Sequence, residues 1–263
     1  MAGDIGRLKK ALENAVCSAV SSKRIAVAFS GGLDSGIIAA VAGEYAEKAT
    51  LYTVGSEGAH DAREAVASAE ELQMDLTHIL ITEEDVMEGL REMIRITGTK
   101  DPVTLSFELP FFHVCKNCRE EEIIGGLGAD ELFAGYSKYI GVGPEDLEKM
   151  MAEDTRRLLE ITVPHERMIA GHFGKKIHYP FLDEAVVKEA GRFDVLMIQA
   201  DDPTARKRPL REVAGAMGLR SISSKEKKAA QYGSGAMNII KKICRKNNTT
   251  YADLVGSICE EVR

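Results

Sequence analysis

The sequence predicts an α/β fold: a parallel sheet with helices on both faces over residues 1–140, completed by a helical region over 141–263. Two observations predict it. Short apolar runs alternate with helix-patterned segments through the first half, as parallel βαβ units require. Beyond about residue 136 the strand-like runs fade and helix-patterned segments follow one another.

The elements follow in order. Ile5, Leu8, Leu12, Val16 and Val20 recur at helical spacing, so 4–22 reads as an amphipathic helix. Residues 24–29 form a short apolar run that stops at Ser30-Gly31-Gly32, a buried strand followed by a tight turn. The alternation continues with helix 35–48, strand 50–54, helix 61–74, strand 76–81 and helix 83–96. Residues 107–119 read as a helix that leads into a strand over 121–125. Helices are then expected over 144–160, 184–191, 205–217, 229–246 and 250–262.

Composition narrows the class. Apolar residues make up 44% and charged residues 29% of the 263, which is ordinary for a globular chain and argues against disorder. No apolar stretch reaches the roughly 18 residues of a membrane span. Met1-Ala2-Gly3-Asp4 shows no basic segment followed by an apolar one, so no signal peptide is expected and the cytoplasm is the expected compartment. Five cysteines do not suggest a disulfide scaffold. The net charge of −7 is uneven: residues 205–246 carry twelve basic residues against two acidic ones, a local +10. That stretch reads as solvated helix faces or as a site for polyphosphate or nucleic acid.

Ser30-Gly31-Gly32-Leu33-Asp34-Ser35 sits between an expected strand and an expected helix. Two glycines let the backbone approach an anion closely, the helix start adds its positive dipole end, and Ser30 and Ser35 add hydroxyl donors. Asp34 would repel a phosphate unless a cation intervenes, which suggests Mg²⁺ between carboxylate and pyrophosphate. A plain Gly-Gly turn with Asp34 at a helix start is the alternative reading. There is no Gly-x-x-x-x-Gly-Lys-Ser/Thr in the chain.

This run after an apolar strand resembles the PP-loop of N-type ATP pyrophosphatases. Those enzymes split ATP between its α- and β-phosphates and adenylate a substrate. Gly126-Leu127-Gly128-Ala129-Asp130-Glu131-Leu132-Phe133-Ala134-Gly135-Tyr136 is similar to the Gly-Glu-Gly-Ala-Asp-Glu-Leu-Phe-Gly-Gly-Tyr run of the synthetase domain of asparagine synthetase. Tyr179-Pro180-Phe181-Leu182-Asp183 resembles that family's Pro-Phe-Leu-Asp element, and Lys207 to Arg211 its Lys…Leu-Arg helix start. Lys225-Glu226-Lys227 followed by Gly233-Ser234-Gly235 resembles its Arg-x-Lys…Gly-x-Gly segment. The related β-lactam synthetases share the plan.

The resemblance implies a Rossmann-like sheet of the adenine nucleotide alpha hydrolase type, with ATP and Mg²⁺ as cofactors. It implies that Ser30, Gly31, Gly32, Asp34 and Ser35 hold the β,γ-pyrophosphate and that Asp34 and Asp130 ligate Mg²⁺. Phe29, Val54 and Gly55 would receive the adenine. Gly126 and Gly128 would line the nucleotide pocket, and Lys227 would neutralise charge on the phosphates, acting with Asp34 and Asp130 in catalysis. The implied activity is an ATP-dependent, AMP-forming synthetase that adenylates a carboxylate such as aspartate, for amide formation with ammonia or another amine.

Three departures stand out. Leu127 replaces the family's Glu, which is tied to the amine nucleophile, and leucine can neither accept a proton nor bind an ammonium. The chain opens directly on the helix before the PP-loop, so no glutaminase domain is expected; nitrogen would come as free ammonia or from a separate glutaminase subunit. Cys115-Lys116-Asn117-Cys118 is not expected in the family. With Cys244 or Cys259 this pair could make a three-thiol iron–sulfur or Zn site, as in PP-loop enzymes that thiolate tRNA, and the +10 stretch would suit tRNA. Inert thiols and a redox pair are the other readings. A tRNA-modifying enzyme and a non-catalytic nucleotide-binding protein therefore remain as alternatives.

Overall fold

Alternation along the strands sets the architecture. In β1 (Arg24–Ala28), Ile25 and Val27 point into one apolar core and Ala26 into another. In β2 (Lys48–Gly55), Leu51 joins the first core while Tyr52 and Val54 join the second. A sheet buried on both faces needs apolar residues at nearly every position, which is why these strands read as continuous runs. The computed structural model describes residues 2–21, 23–225 and 234–262. With β3 (Leu76–Leu80), β4 (Glu122–Ile124) and β5 (Lys176–His178), the described strands form one parallel sheet in the order β3-β2-β1-β4-β5. The strand order reverses between β1 and β4, and there Val27 pairs with Ile124.

The first core lies under α1 (Ala2–Val20) and α2 (Leu33–Tyr45). Leu8, Leu12, Val16 and Val20 of α1 are almost completely buried, as their spacing requires. The second core lies under α4 (Glu83–Thr97) and α5 (Pro102–Asn117); α3 (His60–Leu72) follows β2. The later helices pack on both faces: Leu147, Val186 and Leu210 enter the first core, and Ile169, Ile240 and Leu254 enter the second.

The start of the helix expected over 229–246 lies outside the described residues, and its described part is Ala236–Lys246. Three other departures from the sequence reading have a physical reason. The helix expected over 107–119 starts five residues earlier, at Pro102. Asp101 caps it by accepting from the backbone of Val103 and Thr104, and proline fits its first turn. The helix expected over 144–160 is α7 (Pro144–Arg157), followed by a π-helical turn over Leu158–Thr162 and then α8 (Val163–His172). Pro164 explains the irregularity, since it lacks an N–H and its ring crowds the carbonyl four residues back. Finally, β5 is a strand where only helices were expected. It has three residues, two of them Lys176 and His178, so it carries no apolar run.

No helix among the described residues is long and apolar enough to cross a membrane.

Candidate active site

The turn after β1 is built for close approach. Gly31 has φ +75°, and a Cβ there would lie 2.5 Å from the Ala65 nitrogen. Its carbonyl accepts from Ser68 Oγ at 2.7 Å. Gly32 is the N-cap of α2 and supplies no side-chain cap, so the first N–H groups of the helix remain directed toward the turn. The Ser30 and Ser35 hydroxyls lie 3.2 Å apart across it.

A second turn, after β4, meets the first. Gly126 lies against Asp34, where a Cβ would come within 3.1 Å of the aspartate's own Cβ. Gly128, at φ +100°, packs on Leu182, so the Pro-Phe-Leu segment buttresses this turn. Asp183 caps α9 (Glu184–Ala190), a structural task. Asp130 sits in a single helical turn, α6 (Ala129–Leu132). Asp34 and Asp130 thus come from two turns at the carboxyl ends of adjacent strands, where open α/β sheets bind ligands.

Lys207 joins them. Its Nζ is 2.5 Å from Asp34 Oδ2 and 2.7 Å from Asp130 Oδ1. The residue is 3% exposed and adopts φ +58°. Burial pushes its ammonium below the usual lysine range, against the pull of the Asp34 carboxylate. Gly135 makes room: a Cβ there would fall 2.0 Å from both Asp130 Oδ1 and Lys207 Cε. From sequence alone, Lys207 stands only in a family-like helix start. One lysine in a strongly basic stretch carries no signal of its own, and Asp34 lies 173 residues away.

Behind Lys207 runs a brace of basic side chains. Arg206 donates to the Gly135 carbonyl at 2.9 Å. Arg211 donates to the carbonyls of Arg206, Ser223 and Lys225, and Lys225 Nζ reaches Ser68 Oγ, Glu64 and hence the Gly31 turn. Arg208 pairs with Glu212, and Lys242 and Lys246 pair with Glu83. Much of the +10 stretch is therefore committed inside the molecule. Lys227 lies outside the described residues.

A cavity of about 160 Å³ opens beside the Gly31 turn. It is lined by Phe29, Val54, Phe107, Phe111, Leu127 and Glu166, among others, which suits an aromatic ring with few polar partners. Gly55 ends β2 nearby, 3.4 Å in Cβ projection from the Ser234 carbonyl. Phe107, Phe111 and Glu166 were not singled out in the sequence. Phe107 and Phe111 lie four residues apart on one helix face, which reads as core without a structure.

The cysteines need a correction. Cys115 and Cys118 are buried in the second core, and burial pushes both thiols up, so they stay protonated. The Cys118 thiol donates to the Glu120 carbonyl at 3.7 Å. No group of three His, Cys, Asp or Glu side chains that could hold a metal occurs among the described residues, so the iron–sulfur or Zn site has no support.

A family model described as asparagine synthase matches residues 7–141, which hold both turns. The chain belongs to the asparagine synthase family. A putative glutamine-hydrolyzing asparagine synthetase 1 of Methanocaldococcus jannaschii is 28% identical over 277 residues, covering 91% of this chain and 51% of that protein. Asparagine synthetase B of Escherichia coli K12 is 25% identical over 253 residues, covering 88% of this chain and 45% of that protein. The chain spans about half the length of these relatives. Among solved structures, NMN synthetase from Francisella tularensis aligns with a TM-score of 0.44 and 14% identity, covering 97% of this chain and 86% of that one.

Proposed function

We propose that this chain is an ATP-dependent, AMP-forming synthetase that adenylates a carboxylate such as aspartate, releases pyrophosphate and forms an amide with ammonia or another amine. The observation that carries the reading is the convergence of Asp34 and Asp130 on one buried ammonium, Lys207, beside a glycine turn at the strand-order reversal.

The residues divide the work. The first N–H groups of α2 and the Ser30 and Ser35 hydroxyls bind the β,γ-phosphates. Phe29, Val54 and Phe111 hold the adenine, and Gly126 and Gly128 keep the nucleotide pocket open to the turn. A carboxylate oxygen then bonds to the α-phosphorus, and pyrophosphate leaves with the electrons of the broken phosphorus–oxygen bond. Lys207, with Lys227, offsets that charge; such preorganised electrostatic help is usually the largest catalytic contribution. Next, an amine nitrogen bonds to the acyl carbon, AMP leaves, and the nitrogen releases a proton to water.

Mg²⁺ fits this donor set. Asp34 Oδ1 is buried and has no hydrogen-bond partner among the described residues, and magnesium is commonly held by one or two carboxylates plus substrate phosphates. Asp34 and Asp130 would hold it, and bound there it would neutralise phosphate charge. Ammonia as free solute or from a separate glutaminase subunit, and a cytoplasmic setting, belong to the same proposal.

Mg-dependent pyrophosphate release, with aspartate and ammonia compared against total tRNA, tests the reading. Asp34→Ala and Asp130→Ala should each lower release about 100-fold or more while leaving the unfolding transition cooperative. Undiminished release in both variants would sink the proposed centre.

A further inference from the structure

On the other side of Phe107 lies a second cavity, of about 290 Å³, with Glu108, Glu131, Tyr136, Arg157 and Thr162 in its wall. We propose that this cavity is the amine site: it takes ammonium or a small primary amine, with Glu108 as its principal partner. The proposal rests on the synthetase reading above and says where the second substrate sits.

Glu108 is completely buried on α5, and its Oε2 has no hydrogen-bond partner among the described residues. Its Oε1 lies 3.2 Å from His165 Nδ1. No lysine or arginine among the described residues pairs with it. The two cations of the cavity wall are engaged elsewhere: Arg157 pairs with Asp101 at 3.0 Å and Lys138 with Asp154 at 2.7 Å. Glu131, 4% exposed, accepts from Tyr136 at 2.6 Å. A buried carboxyl without a Lys or Arg partner is costly, and a small ammonium supplies both the charge and the donors that Glu108 lacks.

Burial and the neighbouring Glu166 carboxylate push Glu108 up to about 9. In the empty cavity it therefore holds a proton. Ammonium entering with release of one proton to water gives the same composition as ammonia beside the carboxylic acid, and only the neutral amine is a nucleophile. Leu127, in the wall of the adjoining cavity, offers no such partner. Position supports the assignment as well. Glu131 adjoins Asp130, and Phe107 is common to both cavities, so the second cavity borders the proposed adenylating centre. The π-helical turn contributes Leu158 and Thr162 to the wall, and such turns recur at functional sites.

The test is thermal unfolding of the intact chain with Mg²⁺ and a non-hydrolysable ATP analogue. Ammonium chloride, methylammonium chloride, potassium chloride and sodium aspartate are each titrated at constant ionic strength. A saturable rise in melting temperature with ammonium and methylammonium, weakened at least 10-fold in half-saturation by Glu108→Gln, supports the site. An equal response to potassium, a response to aspartate alone, no saturable response, or an unchanged Glu108→Gln variant each overturns it. Should Glu108→Gln fail to fold, Ser137→Phe, at an exposed position of the cavity lining, should abolish the ammonium response; an unaltered response overturns the site. ATP–pyrophosphate exchange with aspartate involves no amine and reads the adenylating half separately. Exchange without an ammonium response defeats the amine site alone; an ammonium response without exchange defeats the synthetase reading alone.

Discussion

Two acidic clusters that meet at the neighbouring residues Asp130 and Glu131 are balanced in different ways. Asp34 and Asp130 face each other across Lys207, a cation from the chain itself. Glu108 and Glu131 share a cavity wall in which the cations are paired with other acids. The first centre is partly charge-compensated before any ligand arrives; in the second, Glu131 feels Lys207 at a distance, and burial drives Glu108 to its protonated form. Under the proposed function, an internal counterion keeps a highly charged nucleotide site folded while it is empty. A site for a small cation must leave that place open.

The comparison can be broken most severely at Lys207. Removing one member of a buried ion pair costs about 3–5 kcal/mol, and each kcal/mol shifts melting by about 2–4 °C in a chain of this size. Lys207→Ala should therefore lower the melting temperature by about 10 °C, with part of the loss restored by Mg²⁺ and pyrophosphate. An unshifted melting temperature would mean that the two carboxylates need no counterion. Gly135→Ala should approach the same effect, because its Cβ would displace both Asp130 and Lys207.

The second cluster should show itself in pH dependence. The folded state keeps the Glu108 proton up to about 9 and that of Glu166 up to about 8, whereas an unfolded glutamate gives it up near 4.5. Stability contributed by those protons is complete below about 4.5 and is lost as pH rises through that window. His113, held down to about 4 by burial, works in the opposite sense only below about 6.5. Between pH 6.5 and 9 the wild type should lose stability, and Glu108→Gln should lose less of it. Parallel melting curves against pH for the two proteins would contradict the buried-acid account.

The smallest effect concerns the turn between the clusters. Ala134 adopts φ +49°, where the family run has glycine. A left-handed alanine costs about 1–2 kcal/mol, partly offset by the chain entropy glycine loses. Ala134→Gly should stabilise by up to about 1 kcal/mol, measured by denaturant unfolding.

How far each part was legible follows from where its cause lies. The helix α1 and the strand β1 were readable because their cause is local: apolar spacing in one case, a short run stopped by two glycines in the other. The turns carrying Asp34 and Asp130 were readable for the same reason. The strand β5 was not, because its pairing partner in β4, not its own three residues, makes it a strand. Lys207 was missed because its meaning depends on carboxylates brought to it by the sheet. Glu108 reads as one more acid until its burial is known, and the cysteine pair, locally suggestive, proves to be core.

The placing of Lys207 also has a consequence in time. During synthesis the turns with Asp34 and Asp130 leave the ribosome well before the residue that neutralises them. A nascent chain with its first four strands formed would bring two carboxylates together with no counterion of its own. Completion of the centre is thus postponed until α10 (Arg208–Ala216) can dock, which makes the proposed nucleotide handling a property of the finished chain and not of its first half.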